Sequence, residues 1–311
     1  MTERSLGRSG LTTRPFVLGG NVFGMTADRA ASSAILDRFV EHGGGMIDTA
    51  DVYSAWVPGH KGGESETEMG AWLKASGARD KILIATKVGM MPGGLKPDCI
   101  RDAVQGSLDR LGVDAIDLYF AHKDDPDVPL DEVLGAFAEL VDGGIVRSIG
   151  ASNYRADRLA EALRVADGRG LPRFTVMQPE LNLLDRVQYE GALQQLCIDQ
   201  GLGVITYFSL ASGYLTGKYR GADDLGKSRR GARVGPYIEG KGPAVLAVLD
   251  RIAGETGATL SQISLAWVAA QPGVTAPIAS ATSVAQLDEI MGSVEVTLTG
   301  DQLAALTAAG A

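Results

Sequence analysis

Two cysteines, Cys99 and Cys197, are all that this chain of 311 residues contains. They lie far apart and form no C-x-x-C. The sequence therefore offers neither a disulfide framework nor a structural zinc site, and a reducing cytosol is the expected home. Long hydrophobic runs are also missing. No stretch of about 18 apolar residues occurs, which argues against a membrane-spanning helix. The opening M-T-E-R-S-L-G-R-S-G has no apolar core, so no secretory signal is expected there. Positive charge is in short supply: the formal net charge is −9 and the pI about 4.9. Nucleic-acid phosphates would be repelled, although a local positive pocket can still receive a small anion. The dinucleotide fingerprint G-x-G-x-x-G is absent, as are internal repeats and low-complexity segments.

What is present is ordinary soluble-protein material, 45% hydrophobic and 22% charged. The 41 glycines recur at segment ends, as many short turns require. Residues 4–6 and 12–13 read as a hairpin about the turn Gly7–Gly10. After Pro15, strand and helix signals alternate. Strands are expected at 16–18, 46–48, 82–87, 116–120, 148–152, 175–178, 204–207 and 276–279. Helices are expected at 33–42, 66–75, 98–111, 130–142, 155–166, 188–200, 261–270 and 284–291, with a short tail helix beginning at Gly300–Asp301. Ser65-x-x-Glu68 reads as a capping box, Pro97-Asp98 as a helix start and Gly112 as a stop. Asp114 and Asp117 are expected to bracket the fourth strand. Such alternation implies a parallel sheet covered by helices. Eight strands and this length fit one (β/α)₈ TIM barrel, an α/β fold of about 250 residues or more, spanning 1–311 as a single domain. Residues 211–242, rich in Gly, Lys, Arg and Asp, form one long irregular loop after the seventh strand, and loops of that length are usually functional.

Four residues stand at the ends of successive strand-like runs: Asp48 and Tyr53 in G-M-I-D-T-A-D-V-Y-S, Lys87 in I-L-I-A-T-K-V-G and His122 in I-D-L-Y-F-A-H-K. An acid, a phenol, an amine and an imidazole make a proton-transfer set, and in a parallel barrel the strand ends converge on one face. Alone, each has a plain structural reading: turn packing for Tyr53, a surface lysine, a strand-end histidine. Two patterns mislead. Residues 221–228 match G-x-x-x-x-G-K-[ST] letter for letter, but no buried strand precedes them, and Asp223 and Asp224 would sit inside the phosphate cradle. Gly150-Ala-Ser152-Asn-Tyr154 approaches a nucleophile elbow but lacks its second glycine.

The chain resembles the aldo-keto reductases along nearly its whole length. The matching segments are 45–54, A-T-K-V-G at 85–89, L-D-R-L-G-V-D-A-I-D-L-Y-F-A-H at 108–122, G-A-S-N-Y at 150–154, Q-P-E-L-N-L-L-D-R at 178–186 and I-A-S-A-T-S-V-A-Q-L-D-E at 278–289. The bacterial and potassium-channel β-subunit-like branch is the nearer one. The resemblance implies reversible carbonyl–alcohol interconversion on a small-molecule substrate, with NADP(H) or NAD(H) lying across the strand ends and neither metal nor flavin. It implies Tyr53 as general acid/base, Lys87 favouring phenolate character, Asp48 holding Lys87 and His122 polarising the substrate oxygen. It assigns Ser152, Asn153 and Gln178 to the carboxamide, with Tyr207 stacked on the nicotinamide. Phe208, Ser209, Leu210, Ser212 and Lys218 go to the pyrophosphate, and Ser280, Thr282, Gln286 and Glu289 to the adenosine end. Asn21 and Val22 join the cofactor contacts. Val22, Phe23, Met25, Trp56, Met90 and Met91, which follow strands 1, 2 and 3, are expected with Tyr53 and His122 to wall an apolar, open substrate pocket.

The departures are informative. No basic residue lies between 278 and 291, where many relatives pair a 2′-phosphate. The expectation is NADP(H), with Arg229 or Arg230 of the long loop supplying the charge, and NAD(H) as the alternative. Leu181 stands where relatives often have Tyr. Lys123-Asp124-Asp125 replace the usual aromatic or proline after His122. A second functional reading stays open: a cofactor-binding regulatory or redox-sensing protein of the channel-β type with negligible turnover.

Overall fold

The structure, a computed structural model, describes residues 3–227 and 231–311, with the side chains of Lys227 and Ala232 left aside. Eight parallel strands close into a barrel: β3 (Val17–Gly19), β4 (Met46–Asp48), β5 (Leu83–Val88), β6 (Ile116–Ala121), β7 (Val146–Ser152), β8 (Val176–Gln178), β9 (Gly203–Thr206) and β10 (Ala276–Ala279), with β10 pairing back onto β3. Two short antiparallel strands, β1 (Arg4–Ser5) and β2 (Thr12–Thr13), precede it. This is the (β/α)₈ barrel with an N-terminal hairpin that the alternation predicted.

Side-chain alternation along the strands builds the two sides of the barrel wall. Val17, Met46, Ala85, Leu118, Phe120, Val176, Ile205, Ala276 and Ile278 form an interior cluster, joined by Leu6 and Leu11 of the hairpin. The hairpin therefore plugs the N-terminal end. Its turn needs Gly7, which has φ +56° and approaches the backbone of Gly203 so closely that a Cβ would lie 2.2 Å from its nitrogen. The alternate residues, such as Ile47, Ile84, Tyr119, Ile149 and Met177, face the helices and join the two outer clusters.

The helices follow amphipathic periodicity. In α4 (Leu130–Asp142), Leu130, Val133, Leu134, Phe137 and Leu140 are buried, while Asp131 and Glu132 occupy the first turn. Helix α3 (Pro97–Leu111) begins at Pro97 and ends on Gly112, at φ +66°. Several expectations need correction. The Ser65–Glu68 capping box does not form, because Gly63, at φ +81°, starts α2 (Glu64–Ser76) two residues earlier. Ser65 instead bonds Gly20 O and Thr49, and Glu68 pairs with Arg29. True capping boxes open the helices Leu260–Ala269, through Thr259 and Gln262, and Gly300–Ala309, through Thr299 and Gln302. The sixth helix is shorter, Ala192–Gln200, because Gly191 (φ +89°) sets its start. Asp117 lies within β6, buried between Arg79 and Arg147 at 2.9 and 2.8 Å.

The irregular stretch after β9 is also more ordered than its composition suggested. It contains 3₁₀ turns Ala211–Thr216, Ala222–Lys227 and Gly231–Arg233 and a short helix Gly235–Glu239. A full helix, Gly242–Thr256, follows; it buries Val245, Leu246, Leu249 and Ile252 and escaped the sequence reading. The P-loop-like residues 221–227 form a 3₁₀ turn with no strand before them, and Ser228 lies outside the described residues.

Candidate active site

At the C-terminal end of the barrel, six positions two residues past an apolar interior residue carry a polar group or ring. Met46 leads to Asp48, Ala85 to Lys87, Phe120 to His122, Val176 to Gln178, Ile205 to Tyr207 and Ile278 to Ser280. The period of two thus converts the top layer of a filled barrel into a chemical surface. Three strands supply the four proton-transfer residues, since Tyr53 stands in the loop after β4, five residues beyond Asp48.

Lys87 is fully buried. Its ammonium donates to Asp48 Oδ2 at 2.7 Å, to Thr49 O at 2.7 Å and to the Tyr53 hydroxyl at 2.9 Å. Its three protons are thereby all used, which fixes the head group. Tyr53 donates to Asp48 Oδ2 at 3.1 Å. The other carboxylate oxygen, Oδ1, accepts from Gln178 Nε2 at 2.8 Å. Burial, opposed by the Asp48 carboxylate, lowers the Lys87 pKa. Burial and then the Asp48 charge push the Tyr53 phenol well above its ordinary value. The expected drift toward phenolate is opposed first by burial and then by the Asp48 anion beside the hydroxyl.

His122 packs edge-on to Tyr53, ring centroids 6.1 Å apart. Burial, and then the Lys87 charge, push its pKa well below the usual histidine value, so the ring is neutral. Its Nδ1 is buried without a hydrogen-bond partner among the described residues.

A second layer extends from this group. Asn153, held at φ +55°, donates to His122 O at 2.9 Å and to Ser152 Oγ at 3.1 Å. Its Oδ1 accepts from the Tyr207 hydroxyl at 2.7 Å. Ser152 donates to Gln178 O at 2.9 Å. Past β9 the backbone takes positive φ at Phe208, Ala211 and Ser212. The N–H groups of Phe208, Ser209 and Leu210 have no hydrogen-bond acceptor among the described residues. Successive free N–H groups in alternating hand make an anion-receiving nest. The Ser209 hydroxyl is turned inward onto Thr206 O at 3.0 Å, so Ser209 offers backbone rather than side chain. Asn182, which the sequence reading passed over, braces this turn by donating to Phe208 O at 3.1 Å. The side chain of Lys218 is exposed nearby, over the Tyr219 ring.

At the far end, Ser280 donates to Asn21 Oδ1 at 2.6 Å, and Gln286 Oε1 accepts from both the backbone and the hydroxyl of Thr282 at 2.9 Å. The Glu289 side chain is half-buried, and its backbone carbonyl accepts from Gln262 Nε2 at 2.8 Å. Arg229 and Arg230 lie outside the described residues. Of the expected pocket walls, Trp56 and Met90 are exposed, and Met25 and Met91 are half-buried. Trp56 packs 6.3 Å from the Tyr53 ring. Phe23 and Val22 are buried in an outer core cluster and do not present an open wall. Leu181 is likewise wholly buried in core. Asp124 pairs with Arg158 at 3.0 Å, so the acidic run after His122 is partly neutralised.

Among the described residues no helix is long and apolar enough to cross a membrane. The model of the Aldo/keto reductase family matches residues 15–311. The chain is 33% identical over 258 residues to aldo-keto reductase str7 of Strobilurus tenacellus, covering 81% of this chain and 75% of that protein. It is 32% identical over 309 residues to a probable voltage-gated potassium channel subunit beta of Arabidopsis thaliana, covering 95% and 92%. It is 30% identical over 281 residues to aldo-keto reductase yakc of Schizosaccharomyces pombe (strain 972 / ATCC 24843), a name that carries NADP(+), covering 86% and 79%.

Proposed function

The chain belongs to the aldo/keto reductase family, and on that premise we propose that it interconverts an aldehyde or ketone and the corresponding alcohol by nicotinamide-dependent hydride transfer. One observation carries this reading: the Lys87 ammonium ties Asp48 Oδ2 and the Tyr53 hydroxyl into one buried unit at the barrel mouth. A surface lysine or a packing tyrosine has no reason to be so arranged.

The residues present fit a dinucleotide. The free N–H groups of 208–210 suit a pyrophosphate, Ser152, Asn153 and Gln178 a carboxamide, and the Tyr207 ring the nicotinamide face. Ser280, Thr282 and Gln286 suit the adenosine end. When bound, that group supplies or accepts the hydride. The chain handles the proton. Tyr53 holds its proton at neutral pH, the state needed to protonate a carbonyl oxygen as it gains electron density. Lys87 donates to the phenol oxygen and stabilises the negative charge left there after transfer. Asp48 keeps Lys87 charged and aimed. Neutral His122, with Nδ1 walled in, has Nε2 left to donate to the substrate oxygen. In the reverse direction the Tyr53 phenolate, with Lys87 donating to its oxygen, takes the alcohol proton and becomes the neutral phenol.

NADP(H) is the favoured cofactor, in line with the NADP(+) in the name of one relative; NAD(H) is the alternative. Trp56 and Met90 border an open, apolar substrate entrance. We read residues 1–311 as one catalytic unit acting in the cytoplasm on a small molecule. The likeness to a channel β subunit sustains the second reading, a cofactor-holding regulator with negligible turnover. Oxidation and reduction of NADPH and NADH against a panel of carbonyls and alcohols separates the two. Turnover that Tyr53→Phe removes supports the enzyme; tight cofactor binding without turnover on any member supports the regulator.

A further inference from the structure

Next to Lys87, on the outer side of β5, lies a cluster of buried polar groups that the proposed chemistry leaves unused. Thr86 and Tyr119 are register partners on neighbouring strands and face outward, toward the helices. Glu66 of α2, fully buried, accepts from Thr86 Oγ1 at 2.5 Å and from Arg110 Nε of α3 at 2.7 Å. Its charge is thus balanced. Asp51 is different. It follows Asp48 by three residues, is 6% exposed, and its backbone N–H meets Lys87 O at 3.3 Å. Asp51 Oδ1 and the Tyr119 hydroxyl are both buried without a hydrogen-bond partner among the described residues. A buried carboxyl left with an orphan oxygen is costly unless something is gained.

We propose that Asp51 is a positioning residue for Lys87: a second buried carboxyl, whose ionisation sustains the ammonium that Asp48 pairs with directly. The inference rests on Lys87 acting in the proton-transfer unit proposed above. The groups whose charge acts on Asp51 are Glu66 of α2, Arg110 of α3 and Lys87 of β5, and Asp51 acts in turn on Tyr119 of β6. Burial and the Glu66 charge raise Asp51 to about 7, against the opposing pull of Arg110 and Lys87. Asp51 in turn favours charged Lys87. Below neutrality Asp51 is a neutral acid and Asp48 works alone. Above it, the Asp51 carboxylate offsets the burial that would otherwise strip Lys87 of its proton. The site therefore gains a second counter-charge in the pH range where it needs one.

The test reads Lys87 directly, by NMR of protein labelled at the lysine side-chain carbon and nitrogen, with Lys87→Met used only to assign the signal. In the wild type the Lys87 resonance should show an inflection near pH ~7 from Asp51, in addition to its own titration. Asp51→Asn, which keeps shape and size, should remove the inflection and move the Lys87 titration to lower pH. A wild-type signal without the inflection, or an unchanged titration in Asp51→Asn, overturns the proposal; the first outcome needs no variant to fold. Turnover gives the consequence. Asp51→Asn should match the wild type within about twofold below neutrality and lose rate at a lower pH on the alkaline side. Coincident pH–rate profiles also overturn it. A wild type with the inflection but no turnover on any substrate would remove the catalytic reading and leave the Asp51–Lys87 coupling standing.

Discussion

Gln178 Nε2 donates to Asp48 Oδ1 at 2.8 Å, across 130 residues of sequence. This bond joins β8 to β4 across the barrel mouth. It also joins two groups that the family resemblance keeps in separate roles, a cofactor-amide ligand and the partner of the lysine. With Oδ2 shared by Lys87 and Tyr53, the Asp48 carboxylate links the proton-transfer residues to the carboxamide-side residues. Gln178→Leu should therefore weaken cofactor binding and disturb turnover together. A fall in kcat accompanying the rise in cofactor Kd, by steady-state kinetics and fluorescence titration, is the expected result. A pure binding defect would show that the bond to Asp48 carries nothing.

Tyr53→Phe removes one hydroxyl and little else. General acid catalysis contributes about 10²–10⁴-fold, so carbonyl reduction should drop by that order while cofactor Kd stays within a few-fold. Stopped-flow reduction of a reactive aldehyde and a binding titration make the comparison. Near-wild-type rates would remove Tyr53 from the mechanism.

Lys87→Met should abolish turnover and raise the pH at which Tyr53 ionises, since its cationic neighbour is gone. It also strands a carboxylate that is 2% exposed. Breaking a buried pair costs about 3–5 kcal/mol, so urea midpoints should fall sharply. Adding Asp48→Asn to Lys87→Met should restore part of that stability without restoring activity. Asp48→Asn alone should be milder than Lys87→Met in its effect on rate. A double variant no more stable than Lys87→Met would contradict the pairing.

The acid side of the stability curve should carry the signature of His122. Its folded pKa is pushed well below the usual value of 6.5 by burial and by Lys87. The unfolded chain then binds the extra proton first, so stability rises with pH in this window and is lost as pH falls below about 6.5. Asn at position 122 cannot take up that proton. Denaturation midpoints measured from pH 5 to 7 should slope less in His122→Asn than in the wild type. Equal slopes would mean that the histidine is not held neutral.

The proposed preference for NADP(H) assigns the 2′-phosphate to Arg229 or Arg230. The adenosine-end groups Ser280, Thr282 and Gln286 offer only neutral hydrogen bonds, and an arginine adds charge-assisted ones to a phosphate. Binding of NADPH and NADH to the wild type and to Arg229→Ala/Arg230→Ala decides the matter. The wild type should favour NADPH, and the double variant should lose most of that preference. A double variant with full preference rules out the loop arginines, and a wild type that binds NADH more tightly rules out the NADP(H) assignment.

Pattern sufficed wherever a local rule governs the chain. Alternation of strand and helix gave the barrel, since parallel strands need crossovers and eight of them close. The motifs around Asp48, Tyr53, Lys87 and His122 gave the candidate proton-transfer group, because strand ends converge in that fold. Local rules failed where partners are remote. Ser65 and Glu68 spell a capping box, but Gly20, Thr49 and Arg29 claim their side chains. The Gly242–Thr256 helix hides behind a Gly- and Lys-rich approach, and its apolar face acquires meaning only against the barrel. Phe23 follows a strand as a pocket residue would, yet packing turns it into core. Tertiary structure alone decided the electrostatics. Burial and then the Asp48 charge raise the Tyr53 pKa, Gln178 reaches Asp48, and Asp51 is buried with an unpaired oxygen. A residue's type is written in the chain, but its charge state depends on desolvation and on neighbours brought close by folding.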